Sequence, residues 1–141
     1  MYLINIQLNQ MELLDRYIKE IADDLKVDEL NIKDVQMRLP SRKHFWSARL
    51  INHKVDLQRM KRDRDKKRKE LIHQVSETTP IKFSLPALEK TVDALEPIEE
   101  LNTSIREQEL IIELLEKVEK NFNSMTFDLK NIIEIIKLEQ M

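Results

Sequence analysis

The chain of 141 residues contains no glycine and no cysteine, only four prolines, and 5% aromatic residues. Without glycine, the tight turns that cradle phosphates in P-loops and dinucleotide-binding loops are not available in their usual forms. Any nucleotide hydrolysis near this protein is therefore expected from a partner. Without cysteine there are no disulfides and no thiolate metal sites. No stretch approaches the roughly 18 consecutive apolar residues of a membrane span. The opening MYLINIQL has neither the basic start nor the small-residue cleavage site of a signal peptide. A soluble intracellular protein is the expectation, and the scarcity of turn residues suits long helices.

Charged residues make up 35% of the chain and nearly cancel, leaving a formal net of -2. Their positions do not cancel. Residues 1–36 hold four Lys/Arg against eight Asp/Glu, 37–74 thirteen against four, and 75–141 seven against fourteen. The chain thus carries -4, then +9, then -7. Such a separation bears on partners more directly than the total does.

Apolar spacing predicts an all-α protein. Leu8, Met11, Leu14, Ile18, Ile21 and Leu25 recur every three to four residues, an amphipathic helix over about 7–26. Residues 28–31 form a polar joint, and 31–39 are ambiguous between a short helix and an extended arm. Pro40 suits a first helical turn, where its missing N–H costs little. From there Trp46, Leu50, His53, Leu57, Met60, Arg64, Lys67 and Leu71 keep helical spacing, so one long helix is predicted over about 40–75. Its apolar content lapses between Met60 and Leu71. The i,i+4 pairs Asp63/Lys67 and Asp65/Lys69 support an exposed helix there.

Residues 76–83 read as a Ser/Thr-rich linker broken by Pro80. Ser84 is a candidate cap for a helix with Pro86 near its start and Leu85, Leu88, Val92 and Leu95 along it. Pro97 then imposes a kink or a restart. Ile98, Leu101, Ile105, Gln108, Ile112, Leu115 and Phe122 follow heptad spacing, and a polar Gln in such a seam often fixes register or oligomer state. Residues 121–126 look like a joint before a last helix carrying Leu129, Ile132, Ile133 and Ile136. The apolar load of these short helices makes oligomerisation the expected outlet. The expected organisation is an acidic amphipathic helix (1–30), a basic helical nucleic-acid-binding region (31–75), a linker (76–86) and an acidic helical oligomerisation region (87–141). The protomer is expected to be elongated.

The run RMKRDRDKKRK at 59–69 is the sharpest local feature. Arg59, Arg62, Lys66 and Lys69 share one side of the helix, while Lys61, Arg64 and Arg68 line an adjacent strip. Lys66, Lys67, Arg68 and Lys69 nearly encircle one turn, so burying any face against apolar neighbours would be costly. Two readings stand side by side. One is a solvated helix middle, or a seam paired with the acidic C-terminal half of another subunit in a helical scaffold. The other is a polyanion contact.

Base reading by a helix-turn-helix has no context here, so a duplex-binding regulator is a weaker third choice. Phosphate tracking needs only repeated cations, and single strands add aromatic stacking. Trp46 heads the apolar stripe and is expected in the core, whereas Phe45 is open to either role. Tyr2, Tyr17, Phe83, Phe122 and Phe127 are expected to pack. His44, His53 and His73 stand too far apart to chelate one metal. Carboxylate pairs such as Glu99/Glu100 and Glu113/Glu116 lie on polar faces. No nucleophile sits beside a base, so no enzyme, metal or cofactor is expected.

With these helices placed, the chain resembles the UvsY family of recombination mediators from T4-like bacteriophages. The likeness begins at DLKVD (24–28) and strengthens from Trp46 to Met60 around Leu50, Asn52 and His53. It returns in LNTSI (101–105) and SMTFDLKNII (124–133), so that it spans about 24–138. The family's DNA-contacting motif is Lys-x-Arg followed by a hydrophobe. Lys66-Lys67-Arg68 occupies that stretch, with Lys69 where the family has leucine. The resemblance implies a non-enzymatic accessory factor of homologous recombination in the host cell cytoplasm. Single-stranded DNA would be bound by a ring of six or seven subunits that also contacts the phage recombinase and the single-stranded DNA-binding protein. DNA contacts would come from Arg59, Lys61, Arg62, Arg64, Lys66, Lys67, Arg68 and Lys69. Assembly would come from Ile105, Ile112, Leu115, Ile132, Ile133 and Ile136, which periodicity suggests independently.

Overall fold

The computed structural model describes residues 9–141 and is all-α, with four helices in the order α1 (Gln10–Leu25), α2 (Ile32–Thr78), α3 (Leu85–Asp93) and α4 (Glu96–Glu139). Leu8 and Tyr2 lie outside the described residues. The chain divides into two compact units. Among the described residues, one comprises 9–52 together with Leu110–Met141, and the other is His53–Glu109.

In the first unit, α1 starts where the Asn9 side chain accepts the Glu12 N–H at 2.9 Å. Its buried positions are Tyr17 and Ile21, while Ile18, expected to face inward, is 47% exposed. The stripe is rotated because the Tyr17 ring packs edge-on against Trp46, with centroids 5.5 Å apart. The joint at 28–31 is a reciprocal cap. Asp28 Oδ1 accepts from the Leu30 and Asn31 N–H groups, and Asn31 Oδ1 accepts from the Asp28 N–H at 2.8 Å. These bonds close the turn that leads into α2, which begins at Ile32 as the Ile32 N–H donates to Asp28 O at 3.1 Å and the Val35 N–H to Asn31 O at 2.9 Å. The ambiguous stretch is therefore helical, with Val35 and Leu39 buried. Pro40 sits inside the helix and not in its first turn. Burial of Leu39 and Trp46 on either side carries the helix past the hydrogen bond that proline removes.

Trp46 is the centre of this unit and is 1% exposed. Its Nε1–H donates to Asp24 Oδ2 at 2.8 Å, and the Arg42 guanidinium donates to the same oxygen. Arg49 lies over the Tyr17, Phe45 and Trp46 rings and donates to Glu20 Oε2 at 2.7 Å. That hydrogen bond holds the Glu20 carboxyl below the usual glutamate range. Phe45 is thus a packing residue, edge-on to Trp46 and covered by Arg42 and Arg49. From α4 the core receives Ile111, Leu115, Val118, Phe122, Met125 and Leu129. The joint expected at 121–126 is absent: α4 is unbroken, because Phe122, Met125 and Leu129 continue its buried row. Phe127, expected to pack, is 72% exposed.

In the second unit, α2 runs on to Thr78, three residues past its expected end. Ser84 caps α3 by accepting the Ala87 N–H at 3.4 Å, with Pro86 in the first turn as expected. Pro97 marks a restart: Leu95 O accepts the Ile98 and Glu99 N–H groups as α4 begins. Leu88, Val92, Ile98 and Ile105 form the small apolar core, while Phe83 is half-exposed. Gln108 is buried and donates its amide to the His53 carbonyl and to His53 Nδ1, both at 3.0 Å. A polar residue tied to one backbone oxygen penalises slippage of α4 against α2, the first of the two roles, register or oligomer state, that its heptad position suggests.

Candidate nucleic-acid interface

All eight cations of the run lie on α2 within the second unit, and the structure sorts them by helix face. The row that turns inward along α2 comprises Leu57, Met60, Arg64, Arg68 and Leu71, each half-buried. Arginine therefore occupies the gap in the apolar stripe, on the side where burial looked prohibitive. Polar partners across the interface compensate for the lost water. Arg64 Nη1 donates to Asn102 Oδ1 at 3.1 Å, and Arg64 Nε to Asp65 Oδ1 at 3.1 Å. Arg68 grips Asp93 with two parallel bonds, Nε to Oδ1 at 2.7 Å and Nη2 to Oδ2 at 2.9 Å, with Glu89 at 3.8 Å. The bond to Asp93 raises the Arg68 pKa further, so its charge is fixed at any working pH.

The Arg68–Asp93 fork joins α2 to the last turn of α3 with bidentate geometry. Both side chains remain about a third or more exposed, 32% and 44%, so solvent weakens the pair. Asp93→Ala is expected to lower the stability of this unit by about 1 kcal/mol, read as an earlier melting transition. Adding Arg68→Ala should lower it little more. Fully additive losses would show that the fork contributes nothing.

The opposite face is different. Arg59, Arg62, Lys66 and Lys69 recur at intervals of three, four and three residues and all are exposed. They span about 15 Å of helix axis. Arg59 has only a loose contact, 3.7 Å to Asp56, and Lys61 at the flank lies 3.7 Å from Glu109. Arg62, Lys66, Lys67 and Lys69 form no ion pair among the described residues. Cations left in water keep their full capacity to displace counterions from a phosphate chain. The structure thus brings Arg59, Arg62, Lys66 and Lys69 into one line and turns Arg64 and Arg68 away from it. Sequence spacing had separated these two strips. What it missed was that the second strip faces Asn102 and Asp93, because pairing across helices leaves no local signal.

Of the residues expected to drive assembly, Ile105, Ile112 and Leu115 are buried in the chain's own cores. Ile132, Ile133 and Ile136 are half-buried near the end of α4, beside the exposed Ile135 and Leu138. Among the described residues no cluster of side chains is arranged to hold a metal ion, and no helix is long and apolar enough to cross a membrane.

Two long helices, α2 and α4, with the short α3 between them in the chain, define an all-α helical architecture, and that fold is also found in a phage recombination mediator. The crystal structure of the bacteriophage T4 recombination mediator protein UvsY matches this chain with a TM-score of 0.77. The match covers 89% of this chain and 98% of that one, at 13% sequence identity. At that identity the likeness establishes the fold. No family model and no curated protein matches the sequence.

Proposed function

We propose that this protein is a recombination mediator that binds single-stranded DNA and promotes loading of a phage recombinase onto DNA coated by single-stranded DNA-binding protein. The observation that carries the proposal is the line of exposed, weakly paired or unpaired cations at Arg59, Arg62, Lys66 and Lys69. Lys61 and Lys67 flank it, and Arg64 and Arg68 lie on the opposite face, engaged by Asn102 and Asp93. The fold shared with the T4 mediator supplies the class of process. The partners follow from the same resemblance: the recombinase, the binding protein and further copies of the chain in a ring of six or seven, within the host cell cytoplasm.

A ring repeats the cationic line, so weak backbone contacts gain avidity by being linked. Ile132, Ile133 and Ile136, with the exposed Ile135 and Leu138, are the apolar surface on α4 that assembly would cover. A helical scaffold held by basic-to-acidic contacts is the competing reading, favoured by the acidic exposed faces of α4.

Light scattering after size exclusion, with and without oligo-dT, tests the proposal. The expected result is an oligomer whose whole peak shifts when oligo-dT is added, and a smaller species for Ile133→Asp with Ile136→Asp. An oligomer indifferent to oligo-dT would favour the scaffold.

A further inference from the structure

Between the final turns of α2 and the start of α3 lies a cavity of about 590 Å³, wholly within the second unit. Its size falls in the range of about 300–1,000 Å³ typical of small-molecule sites. One wall is apolar, built by Ile72, Leu85 and Leu88. Leu85 is 58% exposed, an unusual investment of a large apolar side chain in the first turn of a short helix. Asp65 and Glu89 contribute carboxylates to the lining, and Lys69 completes the side toward the cationic line. Lys69 therefore belongs to both features.

Resting on the phosphate-contact reading above, we infer that this cavity receives one unpaired nucleobase of the strand whose phosphates lie along Arg62, Lys66 and Lys69. A phosphate inside the cavity would meet Asp65 and Glu89, and Arg68, which also lines it, is already engaged by Asp93 and lies 3.8 Å from Glu89. A base suits the same walls. Its faces are apolar, matching Ile72, Leu85 and Leu88. Its ring N–H and exocyclic amine groups are donors for the carboxylates, as in carboxylate contacts to cytosine N4. The tether is correct as well, because a base enters only if its own phosphate is held at the rim, where Lys69 stands. A paired base cannot leave its stack without losing its partner, so the cavity favours single strands. It would perform for this chain what exposed aromatic platforms do in other single-strand binders. Phe45 and Trp46, the aromatics that precede the basic run, are committed to the first unit's packing, while Phe83, which follows it, is half-exposed just before α3.

The test compares a short oligo-dC with a strand of equal length made of abasic spacers, titrated by fluorescence anisotropy. The wild-type protein should bind oligo-dC about tenfold more tightly. Ser76→Leu fills the cavity from an exposed position whose hydroxyl only bonds the His73 carbonyl. It should abolish the preference and leave abasic binding unchanged. Leu85→Ala, which removes part of the apolar wall without touching a buried residue, should reduce the preference several-fold. Equal wild-type affinity for both strands would overturn the inference and leave the phosphate reading standing. A preference that survives both substitutions would also overturn it. So would a Ser76→Leu protein whose assembly size changes while its base preference does not, since another copy of the chain would then be the occupant. Failure to bind either strand would reject the phosphate reading itself.

Discussion

Reversing the exposed line, with Arg62→Glu, Lys66→Glu and Lys69→Glu together, should weaken binding to oligo-dT at low salt by at least about a hundredfold. The three side chains are exposed and form no ion pair among the described residues, so their replacement breaks none. New carboxylates near Asp63, Asp65 and Glu70 cost the helix only a few tenths of a kcal/mol each, about the size of like-charge i,i+4 pairs. Circular dichroism and assembly size should therefore stay as in the wild type. Glutamine at the same positions should give an intermediate loss, because it removes attraction without adding repulsion. Arg68→Ala should behave oppositely, lowering the melting temperature while changing oligo-dT affinity by no more than about twofold. Anisotropy titration of the three proteins settles the matter. An Arg68→Ala loss as large as that of the triple variant would mean that the fork to Asp93 opens when DNA binds.

Trp46→Ala should destabilise the protein by about 3–5 kcal/mol, a large part of the stability of a chain this size. The indole is fully enclosed and forms the surface on which Tyr17 and Phe45 stand. Its loss would also leave Asp24 with one donor fewer and Arg49 with less aromatic surface. Urea denaturation followed by circular dichroism reads the effect, and a loss below about 1 kcal/mol would show that the cavity collapses without cost. Trp46→Phe keeps most of the volume and should lose far less. The same cluster has an acid-sensitive member. Because Arg49 depresses the Glu20 pKa, that pair's contribution is present above the ordinary glutamate range and fades as pH falls through the depressed value.

The residues differ in how openly they declare these roles in sequence. Trp46, Leu50, Ser84, Pro86 and Gln108 could be read in advance, because each acts through helical period or through a cap within four residues. Pro97 was legible as either a kink or a restart, and local geometry at Leu95 decided for the restart. Two interruptions were over-read. Polar residues at 121–126 suggested a joint, yet they occupy only the outer face of a turn whose inner face is Phe122 and Met125. Pro40 suggested a helix start, but the stronger signal was the reciprocal cap of Asp28 and Asn31, which requires pairing side chains with backbone.

The site was half visible. Spacing placed Arg59, Arg62, Lys66 and Lys69 together. Nothing local in the sequence reveals that Arg68 meets Asp93 or that Arg64 meets Asn102, since those partners are 25 and 38 residues away. The cavity beside Lys69 was invisible for the same reason, because its second wall comes from α3.

We propose that a line of cations on α2 holds single-stranded DNA by its phosphates. The most direct measurement is the affinity for poly-dT and for duplex DNA across a series of salt concentrations. The logarithm of poly-dT affinity should fall linearly with the logarithm of salt, with a slope of about 0.7 per phosphate neutralised. Lys66→Ala should make that slope shallower, and duplex should bind more weakly throughout. Affinity that barely responds to salt, or equal affinity for duplex and single strands, would contradict the claim.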